Sequence, residues 1–198
     1  MMNKKTFLLT SFSFLLCLLL ASCKADNEYS TWPCRFAYDN SIAQDATLAT
    51  AMDPFSRGVF CLITESSRGG VKYLTFTNNQ GLQSQMRETA LEQQADFILG
   101  INNGIIVGYQ TLITEGYGAG FAAYDVQCPN CVRTTGNDVS PNFRVEMSQA
   151  GIATCSKCGK KYDLNNGGII QNGEKGDKGL EKYRAATSGP LGVITVSR

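Results

Sequence analysis

The sequence predicts a mostly β domain with little helix. Short runs rich in Val, Ile, Thr, Tyr and Phe recur along the chain, separated by clusters of Gly, Ser and Asn, which is the pattern of strands joined by turns. Only two stretches, 45–52 and 82–95, space their apolar side chains as short helices do. From residue 128 the runs shorten, and two Cys-x-x-Cys pairs stand among them.

The N-terminus precedes that domain. Lys4 and Lys5 lead into a nearly continuous apolar run over 7–20, which exits through Leu20-Ala21-Ser22-Cys23. The run is shorter than the roughly 20 residues a spanning helix needs. A basic start and a small-residue exit complete a secretory signal over 1–22; the other reading is an uncleaved anchor. The exit resembles the lipobox of bacterial lipoproteins, which implies that Cys23 is lipidated and becomes the first mature residue. Acyl chains there anchor the protein to a membrane, each buried methylene contributing about 0.8 kcal/mol. Residues 23–31 then form a lipidated tether. Within it, Lys24 to Glu28 is either a solvated linker or similar to the surface-export signals of some outer-membrane lipoproteins. The expected location is the cell envelope, lipid-anchored at the outer membrane, on its periplasmic or surface face.

Residues 32–198 form the folded domain. Trp32-Pro33-Cys34-Arg35-Phe36 opens it, and 45–52 (DATLATAM) reads as a helix that ends at Asp53-Pro54, because the residue before proline avoids helical angles. Residues 58–64 and 71–77 are β-rich, and 66–70 between them reads as a hairpin turn. Leu82, Met86 and Ala90 give 82–95 its helical reading. Residues 104–109 and 121–126 are again strands, separated by a glycine-rich loop at 116–120. Brief extended pieces follow at 144–147, 152–154 and 161–164, with a tight turn at 165–168. The loop at 173–179 leads to two closing strands within 180–186 and 191–197.

Composition excludes whole classes of chemistry. There is no histidine, so no mechanism or metal site here uses imidazole. Without Lys4 and Lys5, 16 basic side chains face 17 acidic ones. No basic face points to nucleic acid. No phosphate loop, nucleophile elbow or dinucleotide fingerprint is present, and Asp125, Glu146 and Asp163 show no acid/base spacing. A binding or structural role is expected rather than an enzyme's, with an unidentified protein or ligand as partner beside the membrane.

Cys128-Pro129-Asn130-Cys131 and Cys155-Ser156-Lys157-Cys158 carry the chemistry. A Cys-x-x-Cys turn points both sulfurs at one centre, and two such knuckles supply the four tetrahedral thiolates zinc accepts. Gly159 after the second pair permits the left-handed turn that returns the strand. Lys160 and Lys161 offset the negative charge. Two disulfides are an alternative in an oxidising compartment. A thioredoxin-type redox pair at Cys128 and Cys131 is another, but such pairs begin a helix, and 132–141 (VRTTGNDVSP) is a poor helix former.

The segments 121–129 (FAAYDVQCP) and 153–163 (ATCSKCGKKYD), with Gly167-Gly168, resemble the layout of the Rieske domain. Residues 180–184 and 192–196 resemble its closing strands, and the likeness covers about 104–198. Over the full chain the sequence is similar to Rieske-like lipoproteins that share its Trp32-Pro33-Cys34-Arg35 and Asp45-Ala46-Thr47-Leu48-Ala49 segments. The resemblance implies an antiparallel β-sandwich or barrel with a rubredoxin-like, two-knuckle metal-binding subdomain at about 122–172. It departs from the family at the metal. A Rieske cluster needs two histidines, and none exists here. What remains at Cys128, Cys131, Cys155 and Cys158 is Zn2+, a four-cysteine [2Fe–2S] cluster, or iron. Clusters are usually exported folded through a twin-arginine signal; Lys4-Lys5 is not one, which favours zinc. A cluster would make the protein an electron carrier in an oxidoreductase system.

Cys34 and Cys61 are the remaining mature thiols. They read either as one disulfide, closing a loop of some 27 residues for about 3 kcal/mol, or as two buried thiols. Tyr109, Tyr117, Tyr124 and Tyr162 read as core or rim aromatics.

Overall fold

A computed structural model describes residues 29–112, 120–134, 136 and 139–198. The expected signal peptide, Cys23, most of the tether and nearly all of the 116–120 loop lie outside these residues.

The protein is mostly β, built around a curled antiparallel sheet. Strand β1 (Arg35–Asp39) is followed by two short helices, α1 (Asn40–Ala43) and α2 (Ala46–Ala51). The chain continues through β2 (Phe60–Arg68), β3 (Val71–Asn78), β4 (Gln83–Arg87), helix α3 (Ala90–Ala95), β5 (Ile105–Tyr109) and β6 (Phe121–Asp125). Helix α4 (Pro129–Thr134) leads to β7 (Val145–Met147), β8 (Ile152–Cys155), β9 (Lys161–Asp163) and β10 (Ile169–Ile170), and β11 (Lys182–Thr187) and β12 (Val193–Ser197) close the chain. Eight strands form one sheet in the order β1-β12-β11-β6-β5-β2-β3-β4, and β10-β9-β8-β7 form a second.

Local chemistry sets these boundaries. Asp45 caps α2 by accepting the Leu48 N–H at 2.8 Å, which satisfies one of the free donors at a helix start. The β2–β3 hairpin turns on Gly69 and Gly70, both at positive φ (58° and 77°), the pair a tight two-residue hairpin loop requires. The turn is therefore two residues long rather than the five of 66–70.

The helix expected over 82–95 is only half formed. Met86 lies on an edge strand, and helix is confined to Ala90–Ala95, where Thr89 and Glu92 make a capping box. The spacing of Leu82, Met86 and Ala90 suits a helix. The polar side chains between them suit a strand equally well, with Ser84 and Met86 turned inward and Gln83, Gln85 and Arg87 outward. Pairing with β3 decides the competition.

Strand β5 is buried on both faces. Ile105 and Val107 enter a first core with Phe36, Leu48, Ile63, Phe76 and Tyr183, whereas Ile106 enters a second with Phe60, Tyr124, Phe143, Tyr162 and Leu164. The two-residue period sorts neighbouring side chains to opposite sides. The first core fills the concave face beneath α2. The second seats the small sheet, and with it the cysteine loops, against the large one.

Cys34 and Cys61 both lie in the first core, and both are free thiols. Among the described residues no disulfide is formed, so the bridge expected from their number is not made. Each fills its place as a small apolar group. Burial pushes the Cys34 thiol up to about 12 and the Cys61 thiol higher still.

Candidate metal centre

Two different local structures deliver the four cysteines. Strand β6 ends at Asp125, and an isolated bridge between Gln127 and Arg144 carries the chain on to Cys128, whose N–H donates to the Phe143 carbonyl at 2.8 Å. Helix α4 begins at Pro129, a favoured first helical residue, and one turn sets Cys131 on the same side as Cys128. The pair therefore does open a short helix, where the sequence suggested none. The second pair is a knuckle. Cys155 ends β8, its carbonyl accepts the Gly159 N–H at 2.8 Å, and its own N–H donates to Lys160 at 3.0 Å. Gly159 has φ +71°, the left-handed turn expected of it.

All four sulfurs lie within 4.8 Å of one another. The close approaches cross between the pairs: Cys128 to Cys158 and Cys131 to Cys155, each at 3.7 Å. A disulfide needs about 2.05 Å, so these are separate thiols. A tetrahedral ion with metal–sulfur bonds of about 2.3 Å sets its sulfurs roughly 3.8 Å apart. The four cysteines thus fit one four-coordinate metal ion. Two irons and two sulfides would have to separate the pairs further than one ion does.

Cys128, Cys131 and Cys155 are buried and Cys158 is exposed. Burial pushes the Cys131 thiol up strongly, with Cys158 and Cys128 adding to it, and raises Cys155 to about 11. Burial also works against Cys158, yet the Lys160 N–H and the three neighbouring thiols outweigh it and hold that thiol below the ordinary value. A reactive redox pair needs its leading thiols lowered. The raised Cys131 and Cys155 thiols converge with Cys128 and Cys158 on one point, which suits a metal that displaces their protons.

The surroundings hold this arrangement. The Tyr162 hydroxyl, fully buried, lies 3.0 Å from the Cys128 sulfur and accepts an N–H of Asn130 at 3.0 Å. Asn130 also exchanges hydrogen bonds with Lys178, donating to its carbonyl at 2.9 Å and accepting its N–H at 3.0 Å. Lys160 pairs with Asp177 at 2.6 Å, and Arg133 donates to Gly176. Residues 174–178 therefore strap α4 to the knuckle. Lys160 serves this strap first and the sulfur charge second.

Beneath Cys128, the buried Asp125 accepts the Ile101 and Gln127 N–H groups, each at 2.7 Å, and the Tyr183 hydroxyl at 2.6 Å. Burial raises its carboxyl to about 6 against the pull of these bonds. Gln127 accepts from Asn102 at 2.7 Å, which ties the cysteine loop to the turn before β5. Asp125 thus has a positioning role that acid/base spacing could not reveal. Asn130 and Tyr162 were legible only as members of the motif, one inside the first pair and one four residues beyond the second. The chain matches no protein-family model, no curated protein and no solved structure.

Proposed function

We propose that this is a lipid-anchored protein of the bacterial envelope whose Rieske-like β domain holds one zinc ion through Cys128, Cys131, Cys155 and Cys158. The metal's role is structural: it ties α4 and the knuckle into one unit and presents the domain surface for binding. One observation carries this reading, the four sulfurs within 4.8 Å with crossing approaches of 3.7 Å. Lys4, Lys5, the 7–20 apolar run and Cys23 support the anchor. Zinc is taken up outside the cell without an assembly system, which suits a chain exported unfolded.

A second reading has its own support. A single iron ion fits the same four sulfurs, and the exposed Cys158 would give electrons a short path to a partner. In that case the protein is a one-electron carrier.

Elemental analysis with a visible spectrum, on protein purified without air, separates the readings. About one zinc per chain and no colour supports the structural site. Iron and a coloured solution would replace it with electron transfer. Metal-free protein that takes up neither ion would remove both.

A further inference from the structure

A cleft of about 460 Å3 opens between the two edge strands of the large sheet, far in sequence from the four clustered cysteines and lined by β1, α1, β4 and α3. Its volume is that of a ligand site. Tyr38 and Met86 form the floor above the first core. Ile42 and Leu91 flank it, 81% and 79% exposed, and α3 buries none of its residues.

The two edges present backbone as well as side chains. Arg35 exchanges both of its backbone hydrogen bonds with Ile98, at 2.8 and 2.9 Å. In a strand every second residue points the same way, so the backbone of Ala37 faces the cleft too. The segment that pairs at Ile98 cannot continue along β1, because Asp96 takes φ +47° and diverts the chain into α3. On the opposite edge, Lys72 accepts the Glu88 N–H and Leu82 accepts the Asn78 N–H. That parity turns Gln85 and Arg87 outward. Ala37, Gln85 and Arg87 have no backbone partner on this side among the described residues.

We propose that the seam binds an extended peptide, which enters as an added strand antiparallel to β1 and continues the Arg35–Ile98 pairing. A hydrocarbon chain in the cleft would cover those amides and leave their hydrogen bonds unmade, whereas a strand makes them. Every second peptide side chain is apolar and rests on Tyr38 and Met86. The side chains between face solvent along a lip where Asp39 and Glu92 oppose one Arg87, so basic residues suit them.

The probe is a seven-residue peptide of alternating valine and lysine, acetylated and amidated, added to the full chain. Saturable binding with a Kd below about 1 mM is expected, with the Ala37 and Arg87 amides gaining protection from hydrogen exchange. N-methylation of alternate peptide amides weakens binding about tenfold or more. So does Ala95→Trp, which fills the cleft from the exposed face of α3 and leaves the far-ultraviolet spectrum unchanged. Absence of saturable binding overturns the proposal. Equal binding of the N-methylated peptide, or displacement of the peptide by dodecanoate at equal concentration, also overturns it and makes the cleft an apolar-ligand pocket.

Discussion

The hydroxyl of Tyr162 lies 3.0 Å from the sulfur of Cys128 and is itself approached by the Asn130 side chain at 3.0 Å. Asn130 offers an N–H, so the hydroxyl accepts there and its own proton is directed at the sulfur. A donor in this place stabilises a thiolate more than a thiol. The buried Tyr162 ring also packs in the second core, so one side chain joins the hydrophobic support to the electrostatics of the centre.

Tyr162→Phe keeps the ring and removes the donor. Metal affinity is expected to fall by about 10–100-fold, the usual cost of losing a partner of a ligand. Competition with a chelator measures it. Unchanged affinity would reduce Tyr162 to a packing residue.

Metal removal should act on one side of the molecule. The second core is seated on the cysteine loops, whereas the first has Phe36, Leu48, Ile63 and Phe76 of its own. After chelation the amides of Ile152–Cys155 and Lys161–Asp163 are expected to lose protection from hydrogen exchange, and those of Val71–Asn78 to keep it. Equal loss on both sides would mean that the two cores unfold together.

Cys34 and Cys61 are expected to resist alkylation in the native protein, because only the thiolate reacts and burial holds both as thiols. In denaturant without reductant both should be labelled. Mass spectrometry after proteolysis gives the answer, and a linked pair of peptides would restore the disulfide.

Glu88 gives the fold a pH dependence. It is buried, and its carboxyl faces that of Glu65, with which a proton on Glu88 can bond. Burial raises its pKa from 4.5 to about 7; Glu65 adds to the rise and Lys72 opposes it. The folded state therefore keeps its proton to higher pH than the unfolded chain does. The stability this gives is fully present below about 4.5 and is lost as pH rises through about 7. Glu88→Gln removes the cost, on the order of 2 kcal/mol at pH 8. Its Tm should exceed the parent's by about 4–8 °C at pH 8 and match it at pH 4. An equal difference at both values would trace the effect to something other than this carboxyl.

Much of this architecture was legible because the strong signals were local. The β-rich runs of β2 and β3, the short helix at 45–52 and the two Cys-x-x-Cys pairs each need only neighbouring residues; the strands and the helix formed close to where expected, and the four cysteines converge. The losses are non-local. Gln83, Ser84 and Gln85 look indifferent in isolation, and only the β3 edge beside them makes β4. Strand β1 shows Phe36 and Tyr38 in alternation, yet its partner β12 lies at the other end of the chain. Helix α4 escaped notice because the poor helix formers after Val132 hid the single turn that Pro129 starts. The count of Cys34 and Cys61 suggested a bond, but a pair of thiols in one core says nothing of their separation.

The wall shared by the two cores obeys a parity rule. Inserting one residue within β5 would send Ile106 toward α2 and Val107 toward the cysteine loops, exchanging two sets of side chains matched to different spaces. A change of two residues restores every assignment beyond it. Related chains should therefore lengthen or shorten this wall in even steps, or absorb an odd one as a bulge at a strand end.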